Sequence, residues 1–279
     1  MSDSDTNEIT TICGNIFLMI TIATWNVNSV KSRLQHLLEW LKRDKPDIVL
    51  LQEIKCVDEA FPAMEIEELG YNLAIHGQKT YNGVAILSKF PLDDITRGLP
   101  GNEDDPQARY IEAVVSLPQK AMRVASVYVP NGQSVDSDKF PYKLSFLDRL
   151  AAHVATLLSY DEMLVIGGDY NIAPQDIDVH DPKLWEGSVL THDEVRKRFR
   201  RMANQGLYDA YRLVHHDKND YSWWDYRGNG FAMDNGLRID HLLLSSQASD
   251  KLVDCHIHKS LRALDKASDH APVVGAFEL

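Results

Sequence analysis

Three short apolar runs in this chain each stop at a polar side chain, and no other feature limits the fold as strongly. Met163-Leu164-Val165-Ile166-Gly167-Gly168 runs into Asp169, Tyr170 and Asn171. Met19 to Trp25 runs into Asn26-Val27-Asn28, and Asp47-Ile48-Val49-Leu50-Leu51 is closed by Gln52-Glu53. Apolar runs of this length, bounded by glycine or polar residues, read as buried strands. Between the first two in chain order, Leu34, Leu37, Leu38 and Leu41 recur at helical spacing until Pro46 ends the pattern. Strands alternating with helices predict an α/β fold, in which sites gather where strand ends carry polar groups. Asp169 and Asn171 lie two apart, so they face one side if the backbone stays extended. A carboxylate beside a carboxamide suits holding a water near a phosphate or a cation; the purely structural alternative is a local Asx turn.

The remaining chain extends the pattern. Residues 72–76, 83–88, 110–116 and 122–129 read as strands, the last entering a Tyr128-Val129-Pro130-Asn131-Gly132 turn. A helix over 139–159 precedes the Asp169 strand, and 170–190 reads as loop. Thr191 and Glu194 have the spacing of a capping box for a helix ending at Gly206. Val195, Phe199 and Met202 form its apolar stripe, and Arg196, Lys197, Arg200 and Arg201 share the opposite face. That basic face is either a solvated surface or a contact for phosphate groups. Late strands over 239–244 and 271–277 place Asp240 and the pair Asp269-His270 at further strand ends. With no repeat or linker, residues 19–279 are expected to form one domain. The acidic stretch 1–18 is expected to be a disordered leader.

The net charge of -12 over 279 residues, with a pI near 5.3, argues against a passive basic coat for polyanions. Phosphate binding would need local patches or bound cations. Three cysteines without close spacing do not make a disulfide framework, and a reducing cytosol is the expected compartment. There is no Cys/His cluster of the kind zinc prefers, and no apolar run reaches the roughly 18 residues of a membrane span. Taken together, Asn26, Glu53, Tyr128, Asp169, Asn171, Asp240, Asp269 and His270 supply oxygen ligands for a hard cation, a base and an imidazole. Mg²⁺ is usually held by one or two carboxylates plus substrate phosphate, with Mn²⁺ as the substitute.

Several segments carry a resemblance. Trp25-Asn26-Val27-Asn28, Leu51-Gln52-Glu53, Tyr128-Val129-Pro130-Asn131-Gly132, Gly168-Asp169-Tyr170-Asn171, Arg238-Ile239-Asp240 and Ser268-Asp269-His270-Ala271-Pro272-Val273 occur in that order. With His76-Gly77-Gln78-Lys79 and Tyr221-Ser222-Trp223-Trp224-Asp225-Tyr226-Arg227, they make the chain from Met19 to Leu279 resemble the exonuclease III family of apurinic/apyrimidinic endonucleases. That family lies within the endonuclease/exonuclease/phosphatase superfamily. The resemblance implies a four-layer α-β-β-α sandwich of two packed mixed β-sheets. It also implies Mg²⁺-dependent hydrolysis of duplex DNA 5′ to abasic sites, with 3′-to-5′ exonuclease and 3′-end-cleaning activity. By the same resemblance, Glu53 would bind the metal with Asn26 and Asp269 close by. Asp169 would align or deprotonate water, and Asn171 would hold water or phosphate. Asp240 would orient His270, and Tyr128 would donate to the phosphate. Arg109, Asn131, Trp223 and Leu237 would border the DNA, Leu237 standing where some relatives carry Trp; Arg200 and Arg201, from the basic helical face and not from the resemblance, are further candidates for contact with its backbone. The expected partner is duplex DNA with abasic sites or 3′ ends, met by a monomer without membrane attachment. Two alternatives remain: another phosphohydrolase of the superfamily, and a DNA-binding module without catalysis.

Overall fold

The computed structural model describes residues 9–12 and 15–279 apart from Gln119, with side chains from Leu18 onward. Among the described residues thirteen strands form two sheets. The first contains β1 (Ile9–Ile12), β2 (Asn15–Asn26), β3 (Ile48–Gln52), β4 (Asn72–His76), β5 (Val84–Ser88), β12 (Leu252–Ile257) and β13 (Val273–Glu278). Its order is β12-β13-β2-β3-β5-β4, with β1 paired to the start of β2. The second contains β6 (Leu92–Arg97), β7 (Tyr110–Ser116), β8 (Ala121–Tyr128), β9 (Leu164–Asp169), β10 (Tyr208–Asp209) and β11 (Asp240–Leu244), ordered β10-β11-β9-β8-β7-β6. Each sheet has one parallel pair at its centre, β2 with β3 and β8 with β9. Helices α1 (Leu34–Asp44) and α3 (Lys139–Leu158) make the crossovers within those pairs, as parallel pairing requires.

Alternation along the strands sorts side chains into layers. Ile22, Ile48 and Leu50 of the first sheet meet Ile111, Val124, Val165 and Leu242 of the second in one buried cluster between the sheets. The intervening residues face outward. Ala23, Trp25, Val49 and Leu51 pack under Leu37, Trp40 and Leu41 of α1. Ala125, Val127 and Ile166 pack under Leu147 and Leu150 of α3, and under Val195, Phe199 and Met202 of α4 (Asp193–Ala203). The result is the expected four-layer sandwich. Packing near the ends of β3 and β9 requires two glycines, one against the facing sheet and one against the neighbouring strand β8. A Cβ on Gly167 would lie 2.6 Å from Leu50 Cδ1, and one on Gly168 would lie 1.9 Å from the Val127 carbonyl oxygen. Gln52, fully buried, donates across the gap to Ser126 Oγ at 2.9 Å, and Ser126 Oγ donates to the Leu51 carbonyl at 2.8 Å.

The structure departs from the sequence reading in local details. Strands β6 and β12 were not foreseen, because as edge strands they are largely exposed and lack apolar alternation. The Thr191–Glu194 capping box is not formed. α4 starts one residue later, with His192 Nδ1 accepting from the Glu194 amide at 3.2 Å, while Thr191 Oγ1 donates to the Trp185 carbonyl. Of the leader expected over 1–18, residues 1–8, 13 and 14 lie outside the described residues, and Ile9–Ile12 pairs antiparallel with 15–18. Among the described residues no helix is long and apolar enough to cross a membrane.

Candidate active site

Five strand termini meet at one edge of the sandwich. Asn26 at the end of β2 is registered with Gln52 at the end of β3, and Tyr128 at the end of β8 with Asp169 at the end of β9. Asp240, the first residue of antiparallel β11, also pairs with Asp169. The two parallel pairs therefore finish side by side, and the residues that follow turn into the space above them. Several do so in the left-handed region: Asn28 (φ 45°), Glu53 (φ 51°), Lys55 (φ 54°) and Asn171 (φ 50°). The chain is thus not extended at Asn171, yet Asp169 and Asn171 still line one cleft of about 650 Å³. Asn visits this region at less cost than most residues, whereas Glu and Lys there are strained in the way functional sites often are.

Asp169 is buried and fully engaged. Its Oδ1 accepts from the Asn171 amide at 2.8 Å, and its Oδ2 accepts from Asn26 Nδ2 at 3.0 Å and Asn171 Nδ2 at 3.1 Å. His270 Nε2 stands 3.8 Å from the same Oδ2, while its Nδ1 donates to Asp240 at 2.9 Å. Asp240 in turn accepts from Ser222 Oγ at 2.6 Å. On the other side, Asn26 Nδ2 donates to Glu53 Oε1 at 2.9 Å, so one amide joins Glu53 to Asp169. Glu53 Oε2 pairs with Lys55 Nζ at 2.7 Å. Lys55 donates to Asn28 Oδ1, and Asn28 Nδ2 donates to Asp269 Oδ1 at 2.9 Å. Asp269 Oδ2 accepts from Trp223 Nε1 at 3.0 Å.

Four carboxylates (Glu53, Asp169, Asp240, Asp269) thus face two basic side chains, Lys55 and His270. Burial pushes the Asp169 carboxyl up; Asp240 and Glu53 add to the rise, and His270 opposes it. Burial alone would lower the His270 imidazole, but Asp240 and Asp169 outweigh it and hold the ring above its ordinary range, as an imidazolium. For Glu53, burial is outweighed by the Lys55 ammonium and the Asn26 amide, which keep it ionised. Burial with Glu53 and Asp169 nearby pushes the Tyr128 phenol well up, so it is a donor at neutral pH. On formal charges the cluster lacks two positive charges, and its free ligands are oxygens. Both properties suit a hard divalent cation. Among the described residues, Asp169, Asp240 and His270 have ligand atoms within 4.8 Å of one another. His270 Nδ1 is already committed to Asp240, however, which leaves Glu53, Asp169 and Asp269 as the carboxylates on the cleft side.

Of the residues singled out from sequence, Glu53, Tyr128, Asn131, Asp169, Asn171, Trp223, Asp269 and His270 line this cleft. Asn26 and Asp240 lie just behind it, fully buried. Arg109 lies in an adjoining cavity of about 500 Å³ that shares Tyr128 and Asn131, and its guanidinium stacks 4.6 Å from the Tyr128 ring centroid. Leu237 does not reach the cleft. Its backbone bridges Trp223 and Val179, which turns its side chain into the core beneath α3 and α4. Arg200 and Arg201 are also absent from its lining, and Arg201 pairs with Asp148 of α3 at 2.7 Å. Trp224 is wholly buried beside Tyr221 and Ala271. The sequence reading missed Trp185, whose ring meets Trp223 edge-on with centroids 6.0 Å apart, and the wall from Gly187 to Leu190. It also gave no role to Lys55 and Asn28, although both stand in or beside the motifs that carry Asn26 and Glu53.

Comparison with known proteins agrees with this geometry. Residues 23–270 match the model of the Endonuclease/Exonuclease/phosphatase family. The chain is 36% identical to exodeoxyribonuclease III of Haemophilus influenzae, over 91% of this chain and 98% of that protein. Among solved structures it is similar to the 3′ phosphatase NExo from Neisseria bound to product DNA hairpin (TM-score 0.90, 41% identity, 93% of this chain and 100% of the other). It is also similar to an AP endonuclease from Archaeoglobus fulgidus (TM-score 0.88, 35% identity, 92% and 99%). The chain belongs to the endonuclease/exonuclease/phosphatase family, in its exonuclease III branch.

Proposed function

We propose that this protein hydrolyses phosphodiester bonds of duplex DNA, cutting 5′ to abasic sites and processing 3′ ends, with Mg²⁺ as its cation and Mn²⁺ as a substitute. The observation that carries this reading is the Asp240–His270–Asp169 series, which ends beside Glu53 in a cleft walled by two tryptophans. Glu53 would hold the cation, with Asp169 and Asp269 close to it. When bound, the cation supplies Lewis-acid polarisation of a phosphate oxygen and stabilises the leaving oxyanion. Asp169, its proton affinity raised by burial, aligns the attacking water and takes its proton. His270, charged and fixed through Nδ1 by Asp240, has no lone pair for that role. It presents Nε2–H to the phosphate, where charge accumulates. Tyr128 adds a donor on the same side, while Asn171, its Oδ1 held by Asn131 at 2.9 Å, gives its amide hydrogens to Val129 and Asp169 and so orients the general base. Trp223 and Trp185 leave a pocket suited to a sugar without its base, and a nucleotide lacking a base is less costly to extrude. Arg109, and more remotely Arg200 and Arg201, would meet the strand backbone.

The test is a gel assay on end-labelled duplexes, one with a single abasic analogue and one with a blocked 3′ end, with Mg²⁺ and with EDTA. Mg²⁺-dependent incision on the 5′ side, leaving a 3′-hydroxyl, is expected. Tight binding without incision, or preference for a soluble phosphomonoester, would overturn the proposal.

A further inference from the structure

We propose that Lys143 is a positioning residue for hydrolysis: from beneath the cleft its ammonium ties together the three loops that carry Asn131, Asn171 and Val189. The inference rests on the reading of the site given above. Lys143 lies on the buried stripe of α3, between Phe140 and Leu147, and is wholly inaccessible to solvent. Its Nζ donates to three main-chain carbonyls: Asn171 at 2.7 Å, Val189 at 2.8 Å and Asn131 at 3.1 Å. No carboxylate pairs with it among the described residues. Burial draws its pKa down, Asp169 opposes this, and the three carbonyls favour the charged form.

Such a lysine is costly to bury unless all its donors are used, and here all three are. The carbonyls it collects come from separate loops, and two adjoin left-handed backbone, Asn171 itself (φ 50°) and Gly132 (φ 93°), directly after Asn131. Gly132 also makes room for the lysine stem, since a Cβ there would lie 3.1 Å from Lys143 Cδ. Above the ammonium, Asn131 Nδ2 holds Asn171 Oδ1, and Asn171 Nδ2 holds Asp169 Oδ2 at 3.1 Å. Lys143, wholly buried, therefore lies outside the cleft lining and fixes Asn131 and Asn171, of which Asn171 in turn holds Asp169. The ammonium suits this task because its three donors diverge from one atom.

The proposal is tested with Lys143→Met, alone and in the Asn171→Ala background, by kinetics on the abasic duplex and by amide hydrogen exchange. At saturating DNA and Mg²⁺, K143M should lower kcat about 10- to 100-fold with KM within about threefold of wild type. In the Asn171→Ala background it should cost less than about threefold more, because residues acting through one another do not add. Exchange should quicken at least tenfold in 129–133, 170–173 and 187–190 while the central strands stay protected. Equal kcat losses in both backgrounds, or unchanged exchange in those loops, would overturn the assignment. If K143M does not fold, Lys143→Gln, which keeps one donor, is measured in the same way. Absence of incision by the wild-type enzyme would defeat the functional reading, while the exchange data would still decide whether Lys143 is the anchor.

Discussion

Two buried clusters of charge flank Ile239, and they are built on opposite principles. On one side Asp240 joins Asp169, Glu53 and Asp269 around His270 and Lys55, where carboxylates outnumber cations. On the other, Arg238 donates to Asp178 at 2.8 Å and to Asp209 at 2.8 Å, and Arg212 pairs with the same Asp178 oxygen. Here two carboxylates meet two guanidiniums, although Arg212 Nε and Arg238 Nη2 find no hydrogen-bond partner. Arg238 also donates to His241 Nδ1 at 3.0 Å, and His241 Nε2 donates to the Ile172 carbonyl at 2.9 Å. The balanced cluster thereby fastens the loop after Asp169 to β11. Buried charge thus has two uses in this fold. Neutralised internally it is a fastener; left short of positive charge it is a site that a cation and a phosphate must complete.

Breaking the unbalanced cluster should produce the largest effect, on rate and not on stability. His270→Ala and Asp169→Asn should each lower incision by about 10³-fold, the scale for losing a charge-stabilising donor at His270 and a general base at Asp169. Asp169→Asn removes one of several mutually repelling carboxylates, so its thermal midpoint without added metal should equal or exceed that of wild type. Steady-state kinetics and a thermal melt on the same preparations check both halves. Near wild-type turnover by either variant would remove the mechanism.

The balanced cluster should respond the other way. Arg238→Met strands Asp178 and Asp209 in the interior, and losing one member of such a network costs about 3–5 kcal/mol, read from urea unfolding. The acid limb adds a sign. Burial opposes ionisation of both carboxyls, but Arg238 outweighs it, helped by Arg212 at Asp178, and both sit below the ordinary aspartate range. Their contribution is therefore fully present above about pH 4 and is lost as pH falls through the lower folded values. Arg238→Met should flatten that acid-side loss. An unfolding curve at pH 3 that still drops as steeply as in wild type would contradict the assignment.

The same contrast accounts for what was legible in the sequence. Strand ends bearing Asn26, Glu53, Asp169 and Asp240 stood out because packing alone gives a polar residue little reason to follow an apolar run directly. Periodicity marked the central strands and with them the α/β class, whereas the sandwich was implied only by the family resemblance. Arg238 appeared only as part of a motif, because nothing local indicates that its partners are 29 and 60 residues away. Lys143 left a fainter mark, a lysine in register with Phe140, Leu147 and Leu150 on an apolar stripe. Leu237 was misplaced because a β-bridge to Trp223, invisible to local pattern, decides which way it faces.

A metal titration separates the two clusters at smaller amplitude. A ligand at 100 times its Kd stabilises the folded state by about 2.7 kcal/mol, so Mg²⁺ should raise the melting midpoint of the wild-type enzyme. Glu53→Gln should abolish that increment, whereas Arg238→Met, though less stable, should keep it. An increment that survives Glu53→Gln would move the cation elsewhere among the carboxylates.

The smallest effect concerns the basic face of α4, which by sequence alone could have been a third charged device. Three of its four cations are paired internally: Arg196 with Asp176 at 2.8 Å, Lys197 with Glu194 at 3.8 Å, and Arg201 with Asp148 at 2.7 Å. Exposed pairs of this kind contribute about 0–1 kcal/mol each, so they neither brace the fold strongly nor stand free for phosphate. A DNA strand reaching α4 would have to compete with Asp148 for Arg201, which leaves Arg200 as the more available of the two. Removing a side chain that neutralises one phosphate changes the logarithmic salt slope of binding by about 0.9. The Arg200→Ala/Arg201→Ala double variant should therefore shift that slope by one phosphate or less, measured by fluorescence anisotropy on abasic duplex across a salt series. A shift approaching two phosphates would mean that the pair with Asp148 opens when DNA binds, and that α4 belongs to the binding surface after all.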